Sequence, residues 1–177
     1  MQYTGTYHSP IGGMFLAADT VGLTGLWFDG AKYFPHNLDL EYTGKELPVF
    51  VQTKRWLDMY FSGKEPTFMP PIHMIGSAFQ LEIWSLLQQI PYGKTTTYRD
   101  IAKEIAKKKG MSQMAAQAVG GAVGRNKISI IIPCHRVVGT NGSLTGYAGG
   151  IDKKEQLLSL EKVDMSRFFV PKKGTAL

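Results

Sequence analysis

Residues 97–123 read TYRDIAKEIAKKKGMSQMAAQAVGGAV. Thr97 followed three residues later by Asp100 predicts the start of a helix, because both side chains suit its first turn. The basic run Lys107–Lys109 and then Gly110 predict its C-terminal end, where positive charge and a glycine are favoured. The stretch therefore opens with one amphipathic helix and a glycine turn.

A second helix is predicted in this stretch from near Ser112 toward Val123, and almost all of its residues are small. Gly120 and Gly121 each cost roughly 1 kcal/mol relative to alanine inside a helix, so they need a physical reason. Tight packing against another helix is one reason, and close approach to a bulky partner such as a nucleic-acid groove is the other. Two helices joined by a short glycine turn resemble a helix-turn-helix.

Basic residues concentrate in the same part of the chain. The 177-residue sequence has a net charge of +6, but residues 94–136 carry nine Lys and Arg against two Asp and Glu, a local +7. Residues 1–93 sum to −3 and residues 137–177 to +2. Such a field attracts polyanions and supplies phosphate contacts. For Lys107–Lys109 alone, a solvated helix face is an equally good interpretation.

Outside this region the sequence predicts a smaller N-terminal domain. Met14–Ala18 and Leu23–Phe28 are apolar runs separated by glycines, as in strands, and residues 31–47 are predicted as loop. A helix is predicted over Val49–Phe61, and the proline-rich segment Pro66–Gly76 is predicted as a linker. The predicted fold class is α+β, with a sheet-plus-helix domain over residues 1–75 and a winged helix-turn-helix-like domain over residues 76–177.

Two further helices of the C-terminal domain have start signals. Ser77 followed by Gln80 is a capping-box pattern that precedes an apolar helical stripe. Asp152 followed by Glu155 predicts the cap of a last helix, which carries leucines near residue 158.

The only cysteine follows an apolar run, Ile128–Ile132, which predicts a buried strand that delivers Cys134, His135 and Arg136 at its end. One cysteine excludes an intramolecular disulfide and a multi-thiolate metal site, and it suits a reducing compartment. Most lone cysteines are inert core residues. A neighbouring histidine can activate a thiol, but adjacent residues need a turn or a bridging water to communicate. Composition and spacing thus give a candidate nucleophile.

A family resemblance adds to this interpretation. The segment from Ile132 to Val138 resembles the PCHRV active-site motif of the methylated-DNA–protein-cysteine methyltransferases, which repair O6-alkylguanine in DNA. The similarity continues in order over about residues 77–165, through Tyr98, Ala118-Val119-Gly120-Gly121-Ala122, Asn126, Gly146-Tyr147-Ala148-Gly149-Gly150 and Lys154-Glu155 to Glu161. Residues 9–13 and 22–28 look like the family's ribonuclease-H-like N-terminal domain, for which we expect a structural role.

The resemblance implies a role for each catalytic residue. Cys134 would accept the alkyl group, and His135, acting through a water and oriented by Glu161, would take the thiol proton. Asn126 would support the turn around the cysteine. Tyr147 would donate a hydrogen bond to the base as negative charge develops on it.

The resemblance also implies how the base and the DNA are held. The carbonyls of Cys134 and Val137 and the amide of Ala148 would read the edge of a guanine rotated out of the duplex. Tyr98 would crowd the phosphate of that nucleotide. The helix-turn-helix would bind the minor groove through a surface that comprises Thr97, Tyr98, Arg99, Gln117, Ala118, Gly121 and Arg125.

At one position the sequence departs from the family pattern. The residue before Ala118-Val119-Gly120-Gly121-Ala122 is usually an arginine that fills the space of the rotated base, and here it is Gln117. Glutamine can wedge and hydrogen-bond, but it brings no charge and less reach. We expect intact chemistry with weaker base rotation or a different lesion preference. Ala148 also replaces a serine of some relatives.

The resemblance implies duplex DNA with alkylated bases as the partner, and it implies no metal, organic cofactor or membrane. We expect a monomeric, cytoplasmic protein near the nucleoid, or a nuclear one in a eukaryote. Three other classes are less well supported. Alkyltransferase-like proteins bind damage without repair and lack the acceptor cysteine. A transcriptional regulator would use the helix-turn-helix for sequence-specific binding. The regulators of this family carry an additional cysteine-rich metal domain, which a single cysteine cannot form. A cysteine hydrolase does not usually have adjacent Cys and His.

Overall fold

The computed structural model describes residues 2–35 and 46–171. The described chain forms two compact units, the first extending to Ile75 and including Lys127–Ser129, and the second comprising Gly76–Asn126 and the chain from Ile130 onward. The first unit therefore contains more than the domain predicted over residues 1–75, because the short segment Lys127–Ser129 also belongs to it. Much of the loop predicted over residues 31–47 lies outside the described residues.

The first unit is a three-stranded antiparallel sheet with one helix. Strands β1 (Tyr3–Ser9), β2 (Gly12–Ala18) and β3 (Leu23–Phe28) lie in the order β1-β2-β3. Helix α1 (Pro48–Phe61) begins with a proline, which is well tolerated in a first turn. The predicted strands and helix are confirmed.

The second unit begins with helix α2 (Ala78–Leu87), where Ser77 and Gln80 form the predicted capping box with both hydrogen bonds present. A two-residue strand β4 (Thr96–Thr97) then leads into α3 (Tyr98–Lys108). The Thr97 hydroxyl accepts the amide hydrogen of Asp100, as the sequence predicts. Gly110 follows the helix with φ +65°, a conformation that suits glycine.

The small-residue helix, α4 (Ala116–Gly124), starts four residues later than the start predicted near Ser112. Its N-cap is Ala115, whose side chain cannot cap, so the serine is not used as a start signal. Helix α4 packs against α2 and α3, and the indole Nε1 of Trp84 donates to the carbonyl oxygen of Ala122 at 2.9 Å. One face of α4 is thereby buried and the other is left to solvent.

The strand predicted over Ile128–Ile132 is wrong. Only Ile128 makes an isolated bridge, to Leu26, and Ile130 has φ +69°, which no strand allows. The isoleucines are nevertheless buried. An apolar run signals burial, but it cannot by itself distinguish a strand from a buried turn.

The chain then forms a 3₁₀ turn at Cys134–Arg136, strand β5 (Val137–Val138), which pairs in parallel with β4, and helix α5 (Ile151–Leu160). The predicted cap of α5 is also wrong. Gly150, with φ +103°, is the N-cap, and Asp152 lies inside the first turn, where its charge favours the helix dipole. A small sheet domain followed by a mainly helical domain confirms the predicted α+β class.

Candidate active site and nucleic-acid interface

Cys134 is the first residue of the 3₁₀ turn, and its side chain is buried with 7% of the residue exposed. Asn126 stabilises the chain just before the turn, because its Nδ2 donates to the carbonyl oxygen of Ile132 at 2.8 Å. Burial raises the pKa of the Cys134 thiol. The Asn126 side chain, the charge of Lys154 and the backbone amides at the turn oppose that rise.

Glu161, just beyond α5, is the centre of a buried polar cluster. One carboxylate oxygen, Oε2, lies 2.5 Å from Nε2 of His135, and the other accepts from Nε of Arg136 at 2.8 Å and from the amide of Gly93 at 3.0 Å. Arg136 also donates through Nη1 to the carbonyl oxygen of Ile90 at 2.7 Å. The cluster therefore ties the cysteine turn to the end of α5 and to the chain after α2.

The contacts within the cluster shift the pKa values of Glu161 and His135. Burial alone would raise the pKa of Glu161, but hydrogen bonds and charge from His135 and Arg136 lower it to about 2. Burial lowers the pKa of His135, although Glu161 opposes this. At neutral pH a neutral imidazole therefore faces a carboxylate, which places the ring hydrogen on Nε2 and the basic lone pair on Nδ1.

Lys154 is a buried residue of the site to which the sequence analysis gave no role. It is 0% exposed, and its ammonium donates to the carbonyl oxygens of Val137 at 2.6 Å and Thr145 at 2.7 Å. Burial lowers its pKa to about 8, and the negative charge of a Cys134 thiolate opposes that shift. The available signal was a lysine on the apolar face of a predicted helix, since Lys154, Leu157 and Leu158 are the buried residues of α5.

Two tyrosines lie in the walls around this cluster. Tyr98 is 1% exposed, and its hydroxyl donates to the carbonyl oxygen of Thr145 at 3.2 Å. Its side chain faces inward, so the phosphate contact expected of it does not fit this arrangement. Tyr147 is 8% exposed, with its ring edge-on to His135 at 6.4 Å between centroids.

The backbone groups expected to read the base are partly engaged. The Cys134 carbonyl accepts from the amide of Val137, and the Val137 carbonyl accepts from Lys154. A carbonyl oxygen has two lone pairs, so each can still accept one more hydrogen bond. Ala148 is half-buried in the loop before α5.

The expected DNA-facing residues of α4 and its C-cap are all exposed, and they comprise Gln117, Ala118, Gly121 and Arg125. A Cβ added at Gly121 would meet nothing within 4 Å. Packing inside the protein therefore does not require glycine at this position. On α3, Arg99 is exposed, whereas Thr97 is half-buried and uses its hydroxyl as the helix cap.

The described residues contain neither a cluster of metal-binding side chains nor a membrane-spanning helix. Among residues 2–35 and 46–171, no group of three or more His, Cys, Asp and Glu side chains gathers as metal ligands. In the same residues, no helix has the length and apolar character needed to cross a bilayer.

The chain resembles known proteins along most of its length. It is 43% identical over 159 residues to a methylated-DNA–protein-cysteine methyltransferase of Methanosarcina acetivorans, covering 90% of this chain and 97% of the relative. The relative of the same name from Haemophilus influenzae is 41% identical, with 89% and 84% covered.

Solved structures agree. The O6-methylguanine methyltransferase of Mycobacterium tuberculosis superposes with a TM-score of 0.78 at 39% identity, covering 98% of this chain and 97% of that one. The OGT of the same organism in complex with DNA gives 0.77 at 38% identity, with 94% of each chain covered.

Two family models account for nearly the whole sequence. Residues 2–74 match the ribonuclease-like domain of 6-O-methylguanine DNA methyltransferase, and residues 78–163 match its DNA binding domain. This chain therefore belongs to the enzyme family of the methylated-DNA–protein-cysteine methyltransferases.

Proposed function

We propose that this protein repairs duplex DNA by moving the alkyl group of O6-alkylguanine to Cys134, once per molecule. The observation that carries the proposal is the buried turn that holds Cys134. The residue after Cys134 is His135, and its Nε2 lies 2.5 Å from the Glu161 carboxylate. That pairing gives a buried thiol a base that stays neutral at physiological pH. The Mycobacterium tuberculosis relative in complex with DNA supports DNA as the substrate.

The chemistry begins with the thiol proton. Since Nε2 of His135 faces Glu161, the proton passes through a water to Nδ1, and the resulting imidazolium is stabilised by the carboxylate. Lys154, Asn126 and the amides of the turn stabilise the thiolate. These groups oppose the rise in the pKa of Cys134 that burial causes, and that pKa remains above its ordinary value.

The thiolate sulfur then attacks the alkyl carbon. An S–C bond forms as the C–O6 bond breaks, and the bonding electron pair leaves with the guanine oxygen. Tyr147 donates a hydrogen bond to the base while that charge develops, and the base becomes neutral guanine on taking up a proton. The thioether left on Cys134 has no easy leaving group, so each molecule acts once.

The base has to leave the duplex to reach a cysteine that is buried in this way. We propose that the exposed surface of α4 enters the minor groove, with Gln117 in the space of the rotated base. A monomer that works in the cytoplasm near the nucleoid is the simplest form of this proposal.

Intact-mass spectrometry after mixing with a duplex that holds one O6-methylguanine tests the reaction. We expect a stoichiometric gain of one methyl group, mapped to Cys134, with none from an undamaged duplex. Cys134→Ser should bind the duplex and gain nothing. Binding without a mass change in the natural sequence would instead favour damage recognition without repair. A duplex with O4-methylthymine in place of O6-methylguanine tests, in the same way, whether alkylated thymine is also a substrate.

A further inference from the structure

A groove of about 430 Å³ lies between α3 and the segment that leads into α4. Arg99, Lys103 and Lys107 line one wall, and Ser112 and Gln113 line the other. Alanines and methionines form much of the remaining lining. The groove thus combines a row of positive charges with neutral hydrogen-bonding groups.

The charged side chains of α3 are sorted by sign. The three cations are spaced four residues apart along one face, whereas Asp100 and Glu104 line a different cavity of about 340 Å³. All three cations are exposed, and in the part of the chain that the structure describes none of them makes a salt bridge. In the described residues, the positive charge of this wall is therefore not neutralised by salt bridges with acidic side chains.

The spacing of the wall suits a nucleic-acid backbone. Eight residues of helix rise about 12 Å, and each strand of a duplex presents a phosphate about every 3.4 Å along the axis. A line of cations of this length can face about three successive phosphates of one strand. The exposed, flexible lysines can adjust to the curvature of the strand.

The groove is continuous with the proposed DNA-binding surface. Ala116, the first residue of α4, lines the groove, and Gln117 and Ala118 follow it directly on the exposed side of the helix. A strand that passes α4 can therefore continue into the groove.

We infer that this groove binds the phosphodiester backbone of the DNA that flanks the damaged nucleotide. The inference rests on the proposed function and extends it, because it adds a binding surface along α3 to the one on α4. It also gives a physical reason why a neutral Gln117 is tolerated. Electrostatic attraction along α3 supplies affinity that a charged residue at position 117 would otherwise add.

The test compares Lys103→Gln/Lys107→Gln with Lys108→Gln in binding an undamaged duplex over a range of salt concentrations. Lys108 is exposed on the same helix but does not line the groove, so its removal measures the effect of losing one positive charge outside the groove. The double variant should bind roughly tenfold more weakly, and its salt slope should fall by about 1.8, or 0.9 for each lost phosphate contact. Lys108→Gln should change the slope much less.

Phosphate-ethylation interference locates the contact. Ethylation of a few adjacent flanking phosphates should impair binding of the natural sequence and should have a smaller effect on the double variant, which retains Arg99. Equal losses in the double and control variants, or unchanged binding in both, would overturn the inference. Unchanged binding would point to another partner for the groove, such as an acidic peptide.

Methyl transfer at saturating DNA separates this inference from the proposed function. Lys108→Gln should still gain one methyl group, because it leaves both the groove and the cysteine turn intact. If the natural sequence gains none, the proposed function fails, and the binding comparison still decides whether DNA occupies the groove.

Discussion

The buried polar cluster around Glu161 and the exposed surface of α4 differ in how closely their residues are packed, although both belong to the C-terminal unit. In the cluster, Glu161, His135 and Arg136 are buried and joined by short hydrogen bonds. On α4, Gly121 has no neighbour that its missing side chain would touch. Substitutions in the cluster should therefore impair both folding and chemistry, whereas substitutions on the exposed surface of α4 should alter DNA binding without lowering stability.

Glu161→Gln should have the largest effect. The carboxylate neutralises Arg136 and orients His135, so its loss leaves a buried cation without a counter-charge. We expect a decrease in the free energy of unfolding of about 3–5 kcal/mol. The rate of methyl transfer should fall about 10²–10⁴-fold, as when a general base is lost. Urea unfolding and single-turnover transfer measure the two effects.

Glu155→Gln on the same helix is the matched control and should stay within about 0.5 kcal/mol of the natural sequence. The pH dependence adds a signed check. The lowered pKa of Glu161 contributes stability that is present above its ordinary value of 4.5 and is lost as the pH falls toward about 2. Glu161→Gln should lack that part of the acid transition, and an unchanged transition would contradict the proposed cluster.

Lys154→Met should have the next largest effect. Its ammonium lowers the pKa of the Cys134 thiol, so its loss should raise that pKa further. The pH profile of iodoacetamide alkylation at Cys134 should shift to higher pH, by about one unit or more. A role limited to holding the Val137 and Thr145 carbonyls would change stability without moving this profile.

Lys153→Met, one residue earlier on α5, provides the comparison for net charge. Its side chain is only half-buried, and we expect its alkylation profile to match that of the natural sequence. Similar shifts in both variants would show that the effect belongs to the overall field of the protein.

Gly121→Ala should separate folding from DNA binding. The added methyl group meets nothing within 4 Å, and alanine favours a helix by up to about 1 kcal/mol over glycine. The variant should therefore be more stable, yet bind duplex DNA about tenfold more weakly, or about 1.4 kcal/mol. Thermal unfolding and fluorescence anisotropy measure these opposite changes.

Gly124→Ala is the control, because a Cβ at that position also meets nothing within 4 Å. It lies at the last residue of α4, outside the proposed contact surface, and should leave DNA affinity unchanged. Equal affinities for Gly121→Ala and the natural sequence would remove the reason for small residues on this surface.

The same contrast explains what sequence could predict. The starts of α2 and α3 were predicted correctly because Ser77–Gln80 and Thr97–Asp100 are local signals, and in each helix the N-cap hydroxyl accepts the expected amide hydrogen. The strand before Cys134 was wrong because burial there comes from tertiary packing rather than from a sheet. The Gly93 amide contact with Glu161 spans 68 residues, so no local pattern contains it.

Lys154 shows the same limit within the candidate site. Its position on an apolar helix face was visible in the sequence, but its two carbonyl acceptors come from separate segments. The residues alone made Cys134 a candidate nucleophile, and the family resemblance added roles for His135 and Glu161. The geometry of the three remained to be found in the structure. Their roles in the reaction stay predictions until the variants are measured.

Gln117→Arg is the smallest and most specific change. It adds one cation to the exposed start of α4, so affinity for duplex DNA should rise about three- to tenfold, and the salt slope should steepen by up to about 0.9. The rate of transfer at saturating DNA should rise only if base rotation limits it, since the buried polar cluster around Glu161 is untouched.

Gln113→Arg, on the groove wall, serves as the charge-matched comparison. If position 117 acts at the rotated base, only Gln117→Arg should accelerate transfer, whereas both variants should increase affinity. If Gln117→Arg changes neither affinity nor rate, the residue at this position does not limit base rotation, and the difference from the family pattern has no functional consequence.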